Sequence, residues 1–258
     1  MDLELVGKVV LITGGTDGLG LALAQGLARE GAAVAICGRD EERLATAAAS
    51  IVALGGQVEA VRADVERAPE MEAFVQAAVA RWGRIDGIVH NAGRSAGGPL
   101  ESIDDATWES DVQLKLMGAV RLTRLALPQL RASRGAAIFT LAISAKAPGP
   151  YSIPSSVSRA AGMALMKSLS KELGADGIRV NAILIGLIES GQWVRAAAGR
   201  GVPLPTFYQE MAEGAAIPLG RVGRSEEFAD LACFLLSSRA SYLTGTAINL
   251  DGGLSPVF

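Results

Sequence analysis

Short apolar runs alternate along the chain with longer stretches in which apolar residues return at every third or fourth position. Residues 8–12 (KVVLI), 32–37, 58–61, 85–90, 136–141, 178–184 and 246–250 read as strands. Between them, Leu19, Leu23 and Leu27 mark one helical face, and 41–54 is an alanine-rich helix stopped by Gly55-Gly56. Met71, Val75 and Val79 mark a helix over 70–82, and Leu116, Val120 and Leu127 mark another over 103–131. Residues 143–154 are rich in Pro and Gly and predict a loop. The helix that follows carries Val157, Ala161, Leu165, Leu169 and Leu173 at i, i+4 spacing, which predicts a buried face. A last helix spans 225–237. Strands alternating with helices predict an α/β fold: a doubly wound, mainly parallel sheet with helices on both faces and ligands at the carboxyl ends of its strands. With no repeat or linker, 1–258 reads as one domain.

Composition narrows the function classes. The chain is 50% hydrophobic, enough for a full core, and its 24 basic and 27 acidic residues leave a net charge of −3. No long basic run offers a footprint for nucleic acid. The acidic start, and the lack of any apolar segment of about 18 residues, point to a cytoplasmic protein without a membrane partner. Cys37 and Cys233 sit in apolar runs as small hydrophobes, so neither a disulfide nor a metal site is expected. The single histidine, His90, ends a strand and reads as a packing residue.

The chemistry starts at residues 13–20, TGGTDGLG, between the first strand and the first helix. Gly14, Gly18 and Gly20, with Thr16 and Leu19 between them, form a loop whose main-chain N–H groups can approach a pyrophosphate at the positive end of the helix. The second strand ends at Gly38 and is followed by Arg39. An acidic residue in this region would bond a ribose 2′-hydroxyl, whereas arginine accommodates a 2′-phosphate, so NADP(H) is expected ahead of NAD(H). Asp17, inside the loop, weighs the other way because its charge falls near phosphates.

Taken together, the TGxxxGxG loop at 13–20, Asp64-Val65, Asn91-Ala92-Gly93, IRVNA at 178–182 and NLDGG at 249–253 resemble the short-chain dehydrogenase/reductase family over nearly the whole chain. The resemblance implies a seven-stranded Rossmann sheet, a nicotinamide dinucleotide, and a homotetramer or dimer. It adds Asp64, Val65, Asn91, Ala92, Gly93, Arg159, Gly186, Ile188 and Ser190 to the expected cofactor contacts. It breaks at the catalytic positions. Family members usually carry Asn, Ser, Tyr and Lys; here Lys115 stands at the asparagine, Ala142 or Ile143 at the serine with Ser144 just beyond, Ser155 at the tyrosine and Arg159 at the lysine.

An alkyl hydroxyl is a far weaker acid than a phenol, and an arginine cannot shuttle protons. A relocated or water-supplied donor is therefore expected, with Tyr151, Lys115 and Lys146 as the side-chain candidates. Lys115 otherwise reads as a structural hydrogen-bond donor, Lys146 as a solvated charge, and Tyr151 as a loop-packing aromatic. After the sixth strand, 192–214 supplies Trp193, Phe207, Tyr208 and Met211, which predict a capping loop over an apolar small-molecule substrate or a subunit contact. Three functions follow: an NADP(H)-dependent oxidoreductase acting on a carbonyl, alcohol or activated double bond; a non-redox cyclase, lyase or isomerase that keeps the dinucleotide; or a catalytically silent cofactor-binding subunit.

Overall fold

The computed structural model describes residues 1–258. Seven parallel strands form the central sheet: β1 (Val9–Thr13), β2 (Ala33–Gly38), β3 (Gln57–Arg62), β4 (Gly87–His90), β6 (Ala136–Ala142), β8 (Arg179–Ile185) and β9 (Ala247–Leu250), in the order β3-β2-β1-β4-β6-β8-β9. Two-residue strands β5 (Gly97–Gly98) and β7 (Ile153–Pro154) pair antiparallel outside the sheet. The helices are α1 (Gly18–Arg29), α2 (Glu41–Val52), α3 (Ala68–Trp82), α4 (Asp105–Val112), α5 (Gly118–Ser133), α6 (Ser155–Glu172), α7 (Gly191–Arg200), α8 (Leu204–Gly214) and α9 (Ser225–Leu236). None is long and apolar enough to cross a membrane.

The seven expected strands are all present, and their continuous apolar character has a simple cause. Along β1, Val10 and Ile12 enter the core on one side of the sheet while Val9 and Leu11 enter the core on the other. Such a strand is buried on both faces, so alternation disappears. Each fully buried Leu or Ile contributes roughly 1.5–3 kcal/mol of transfer free energy. Strand order runs one way from β1 to β2 and the other way from β1 to β4, so a crevice opens at their carboxyl ends. Residues 13–20 and 91–93 both lie there.

Three local expectations change. The helix expected over 103–131 is α4 and α5 joined through a π-helical turn at Gln113–Met117, and that turn carries Lys115. The stretch 192–214 is helical, as α7 and α8, rather than a loop. On α6 the buried line is Ser156, Ser158, Gly162, Met166 and Ser170, whereas Val157 is exposed. Small residues win here because the helix lies tight on the sheet: a Cβ on Gly162 would come 3.1 Å from Leu141 Cδ2. Of the predicted apolar face, Leu173 lies in the core and Leu165 and Leu169 pack against its edge, while Val157 falls outside.

Candidate active site

The loop after β1 is built where side chains cannot go. Gly14 and Gly18 have φ of 67° and 50°, and a Cβ on Gly20 would lie 2.3 Å from Gly14 O. Asn91 holds the loop to β4: its Nδ2 donates to Thr13 O at 3.0 Å and Gly14 O at 3.1 Å. Thr13 Oγ1 accepts in turn from the N–H of Asn91 at 3.1 Å and of Ala92 at 3.0 Å. Asn91 is thus a clamp on the loop. Thr16 packs where a side chain on Gly38 would begin, and Gly186 lies against Asp251 in the same way.

The first turn of α1, at Gly18, Leu19 and Gly20, has N–H groups that a helix cannot satisfy internally, and Asp17 takes up that of Gly18. Facing Gly18 is Ser190, whose Cβ lies 3.3 Å from where a side chain on Gly18 would start. Its Oγ is buried without a hydrogen-bond partner. An open glycine cradle with an unanswered hydroxyl beside it fits the phosphates of a dinucleotide. Ile188 is buried in the core, which leaves only its main chain for a ligand. At the adenosine end, Arg39 is 64% exposed and 3.8 Å from Asp64, while Val65 packs against Gly118. Asp17 does not stand as a bare charge among the phosphate groups: it caps α1 and pairs with Arg43 and Arg195.

The catalytic positions form a connected network of different composition. Lys115, only 5% exposed, donates from Nζ to Asp111 Oδ1 at 2.5 Å and to Ser155 Oγ at 2.6 Å. Asp111 is 1% exposed, and its Oδ2 accepts from Ser158 Oγ at 2.6 Å. The π-helical turn sets Lys115 beside Ser155, at the start of α6, and the small residues of α6 let Ser158 reach α4. Burial pushes the Lys115 ammonium down to about 8; the hydrogen bond to Asp111 opposes this, and the Arg159 and Arg94 charges add to it.

Ser155 Oγ also accepts from Ala96 N at 3.0 Å, because the β5–β7 pairing lays Ala96 over the start of α6. Two donors thus occupy its lone pairs. The hydroxyl hydrogen of Ser155 is left to donate to a third group. Arg159 is half-buried, its Nη1 donates to Thr140 O at 3.0 Å, and its Nη2 stands beside Gly93. A cavity of about 20 Å³ behind this network is lined by Lys115, Arg159, His90, Thr140 and Phe139, among others.

The remaining candidates lie elsewhere. Tyr151 has φ of 59° and is 70% exposed, so its phenol stands in solvent rather than in the network. Lys146 is neither a free charge nor near Ser155 in its bonding: Nζ donates to Ala247 O at 2.9 Å and Asn249 Oδ1 at 3.0 Å, tethering the loop to β9. Ser144 lies half-buried in the turn Ile143–Ala145 and bonds to none of the network residues. His90 packs at a tilt of 55° against Phe139, ring centroids 4.4 Å apart, its Nε2 meets Thr123 Oγ1 at 3.0 Å, and burial pushes its pKa down to about 3, so the ring is neutral. Burial pushes the Cys37 and Cys233 thiols up to about 12, which leaves them inert. Asp111 and Ser158 went unnoticed in the sequence. An acid four residues before a helical lysine was the available signal for Asp111; Ser158 had none.

A family model described as enoyl-(acyl carrier protein) reductase matches residues 14–255. The chain is 36% identical over 256 residues to the rhamnolipids biosynthesis 3-oxoacyl-(acyl-carrier-protein) reductase of Pseudomonas aeruginosa, covering 97% of each chain. Among solved structures, L-sorbose reductase from Gluconobacter frateurii, complexed with NADPH and L-sorbose, matches with a TM-score of 0.95 and 35% identity over 100% of both chains. A short chain oxidoreductase from Pseudomonas aeruginosa containing an atypical catalytic center matches with a TM-score of 0.94 and 35% identity, again over 100% of both. With the sheet order, the glycine cradle and the Asn91 clamp already in place, these similarities establish that the chain belongs to the short-chain dehydrogenase/reductase family.

Proposed function

We propose that this protein is an NADP(H)-dependent oxidoreductase that reduces the carbonyl of a small apolar molecule to an alcohol, with Lys115 and Ser155 supplying the proton. The observation that carries this reading is the bond from Lys115 Nζ to Ser155 Oγ, at the position where the family carries its tyrosine. Bound in the cradle at Gly14–Gly20 and against Ser190, NADPH supplies the hydride.

The chain's own groups handle the proton. Ser155 donates its hydroxyl hydrogen to the substrate oxygen and recovers one from Lys115. A serine hydroxyl alone is too weak an acid for this, but it becomes a competent relay when an ammonium with a pKa of about 8 replaces its proton in the same step. Asp111 and Ser158 fix the lysine, so the ammonium is already aimed before substrate arrives. Arg159, anchored on Thr140 O, keeps donors for the cofactor's ribose and stays charged throughout. Trp193, Tyr208 and Met211, half-buried on α7 and α8, favour an apolar substrate over a polyol.

The test uses NADPH deuterated at the transferred nicotinamide hydrogen and a panel of 3-oxoacyl thioesters, simple ketones and ketoses. Deuterium should appear on the carbinol carbon, and kcat for reduction should fall as pH rises through about 8, because the working form is protonated Lys115. A product of unchanged oxidation state, or one free of deuterium, overturns the reading. Ketoses turned over in preference to apolar ketones would overturn the substrate class alone.

A further inference from the structure

The glycine loop carries an anion of its own. Asp17 Oδ1 accepts from Gly18 N at 2.7 Å and caps α1. Its Oδ2 accepts from Arg43 Nη2 at 2.7 Å and from Arg195 Nη1 at 3.4 Å. Arg43 belongs to the first turn of α2, just past the carboxyl end of β2 where Arg39 and Asp64 mark the adenosine side. Arg195 belongs to α7, and the first residue of that helix, Gly191, lies so close that a Cβ there would be 1.8 Å from Asp17 Oδ2. One carboxylate therefore joins the loop, the adenosine end of the crevice and the helix that follows the sixth sheet strand. It sits at the helix terminus where a dinucleotide phosphate would come.

The pairing is built to be exchanged. The Asp17, Arg43 and Arg195 side chains are 38%, 46% and 64% exposed, and ion pairs that wet contribute little stability. A phosphate offers the guanidinium fork more charge and more acceptor oxygens than a carboxylate already engaged as a helix cap. Opposite Asp17, Ser190 Oγ waits without a partner.

We propose that Asp17 is a placeholder for phosphate: on cofactor binding Arg43 passes from Asp17 to the 2′-phosphate, where it acts with Arg39, and Arg195 passes to the pyrophosphate. This deepens the NADP(H) reading above and rests on it. It makes Arg43 the specificity-determining residue for the 2′-phosphate, with Arg39 in support. It also gives α7 a charge contact to the cofactor, which links cofactor binding to the position of the apolar helices over the substrate.

The test is equilibrium binding without turnover. NADPH and NADH are titrated by nicotinamide fluorescence, and adenosine 2′,5′-bisphosphate and ADP by calorimetry. Asp17→Asn keeps the cap and removes the charge; it should tighten NADPH about 5–10-fold at low salt, with the gain shrinking as salt is added. Arg43→Ala should weaken NADPH and the bisphosphate by about 10-fold or more and leave NADH and ADP within about 2-fold. Arg195→Ala should weaken NADPH, NADH and ADP alike. Looser NADPH binding by Asp17→Asn, or equal losses of NADPH and NADH in Arg43→Ala, would overturn the placeholder role. If the wild-type protein binds none of the four ligands, the NADP(H) reading fails and this proposal with it; NADPH binding that Arg43→Ala leaves unchanged defeats this proposal alone.

Discussion

The two halves of the crevice are made of different material. On the cofactor side the loop is a backbone device: Gly14, Gly18 and Gly20 shape it, and the Asn91 amide serves to pin main chain to main chain. On the catalytic side the working parts are side chains drawn from separate elements: Asp111 on α4, Lys115 in the π-helical turn, Ser155 and Ser158 on α6. A backbone device admits few sequences, because most side chains collide with it. A side-chain network can be rebuilt from other residues as long as charges balance and every buried polar atom finds a partner. On the proposed reading the catalytic half is such a rebuilt network, while the cofactor half keeps the glycine loop.

The sharpest way to break this division is Lys115→Arg. Arginine preserves the charge opposite buried Asp111, so the fold is spared an unpaired carboxylate, but it cannot give up a proton at working pH. Reduction should lose about 10² to 10⁴ in kcat, the usual worth of a positioned general acid, while the dissociation constant for NADPH stays within about 2-fold. Single-turnover rates and fluorescence titration separate the two quantities. Equal damage to both would mean that the halves are not independent. The converse is Gly20→Ala, whose Cβ would sit 2.3 Å from Gly14 O. Moving the backbone to make room costs about 1–3 kcal/mol, expected as a 10- to 100-fold weaker NADPH complex, with the pH dependence of the remaining turnover unchanged.

A smaller change probes how the network sets its own acid. The hydrogen bond and charge of Asp111 raise the Lys115 pKa against burial and the two arginines. Asp111→Asn keeps an acceptor and removes the charge, so the pKa must fall below about 8. The pH at which reduction declines should move down by about one unit, and kcat at pH 8 should drop about 5-fold. A merely structural role for Asp111 would lower activity at every pH and leave the midpoint in place.

How much of this was legible in the sequence follows the same division. The seven strands and the glycine loop could be read because local rules govern them: apolar runs, glycines between strand and helix, a basic residue after the second strand. That Lys115 and Ser155 both fall at the site also followed, since family spacing carries register; the bond between them did not. Asp111 and Ser158 did not, because their meeting depends on how closely α6 lies on the sheet, and that depends on the small residue at Gly162 rather than on any apolar period. The same close approach centres α6's buried face on small residues and leaves Val157 outside it. Tyr151 and Lys146 misled for another reason: a loop position beside the site says nothing about where a side chain turns, and one went to solvent and the other to β9.

The least disruptive probe of the cofactor half is Ser190→Ala, and its two effects should have opposite signs. Ser190 Oγ is buried without a partner, a condition that costs a folded protein about 1–3 kcal/mol. Removing the hydroxyl relieves that cost, so the ligand-free protein should melt slightly higher than wild type. If a dinucleotide supplies the missing partner, the same substitution removes a hydrogen bond worth about 1 kcal/mol from the complex, which is about a 5-fold weaker NADPH affinity. Thermal melts with and without NADPH therefore decide the point: the stabilisation that NADPH confers should shrink in the variant even as its own melting temperature rises. A hydroxyl with only a structural role would lower the ligand-free melt and leave the NADPH increment alone. The orphaned atom is thus a side-chain group that the cofactor half, built around a backbone loop, holds in reserve for its ligand.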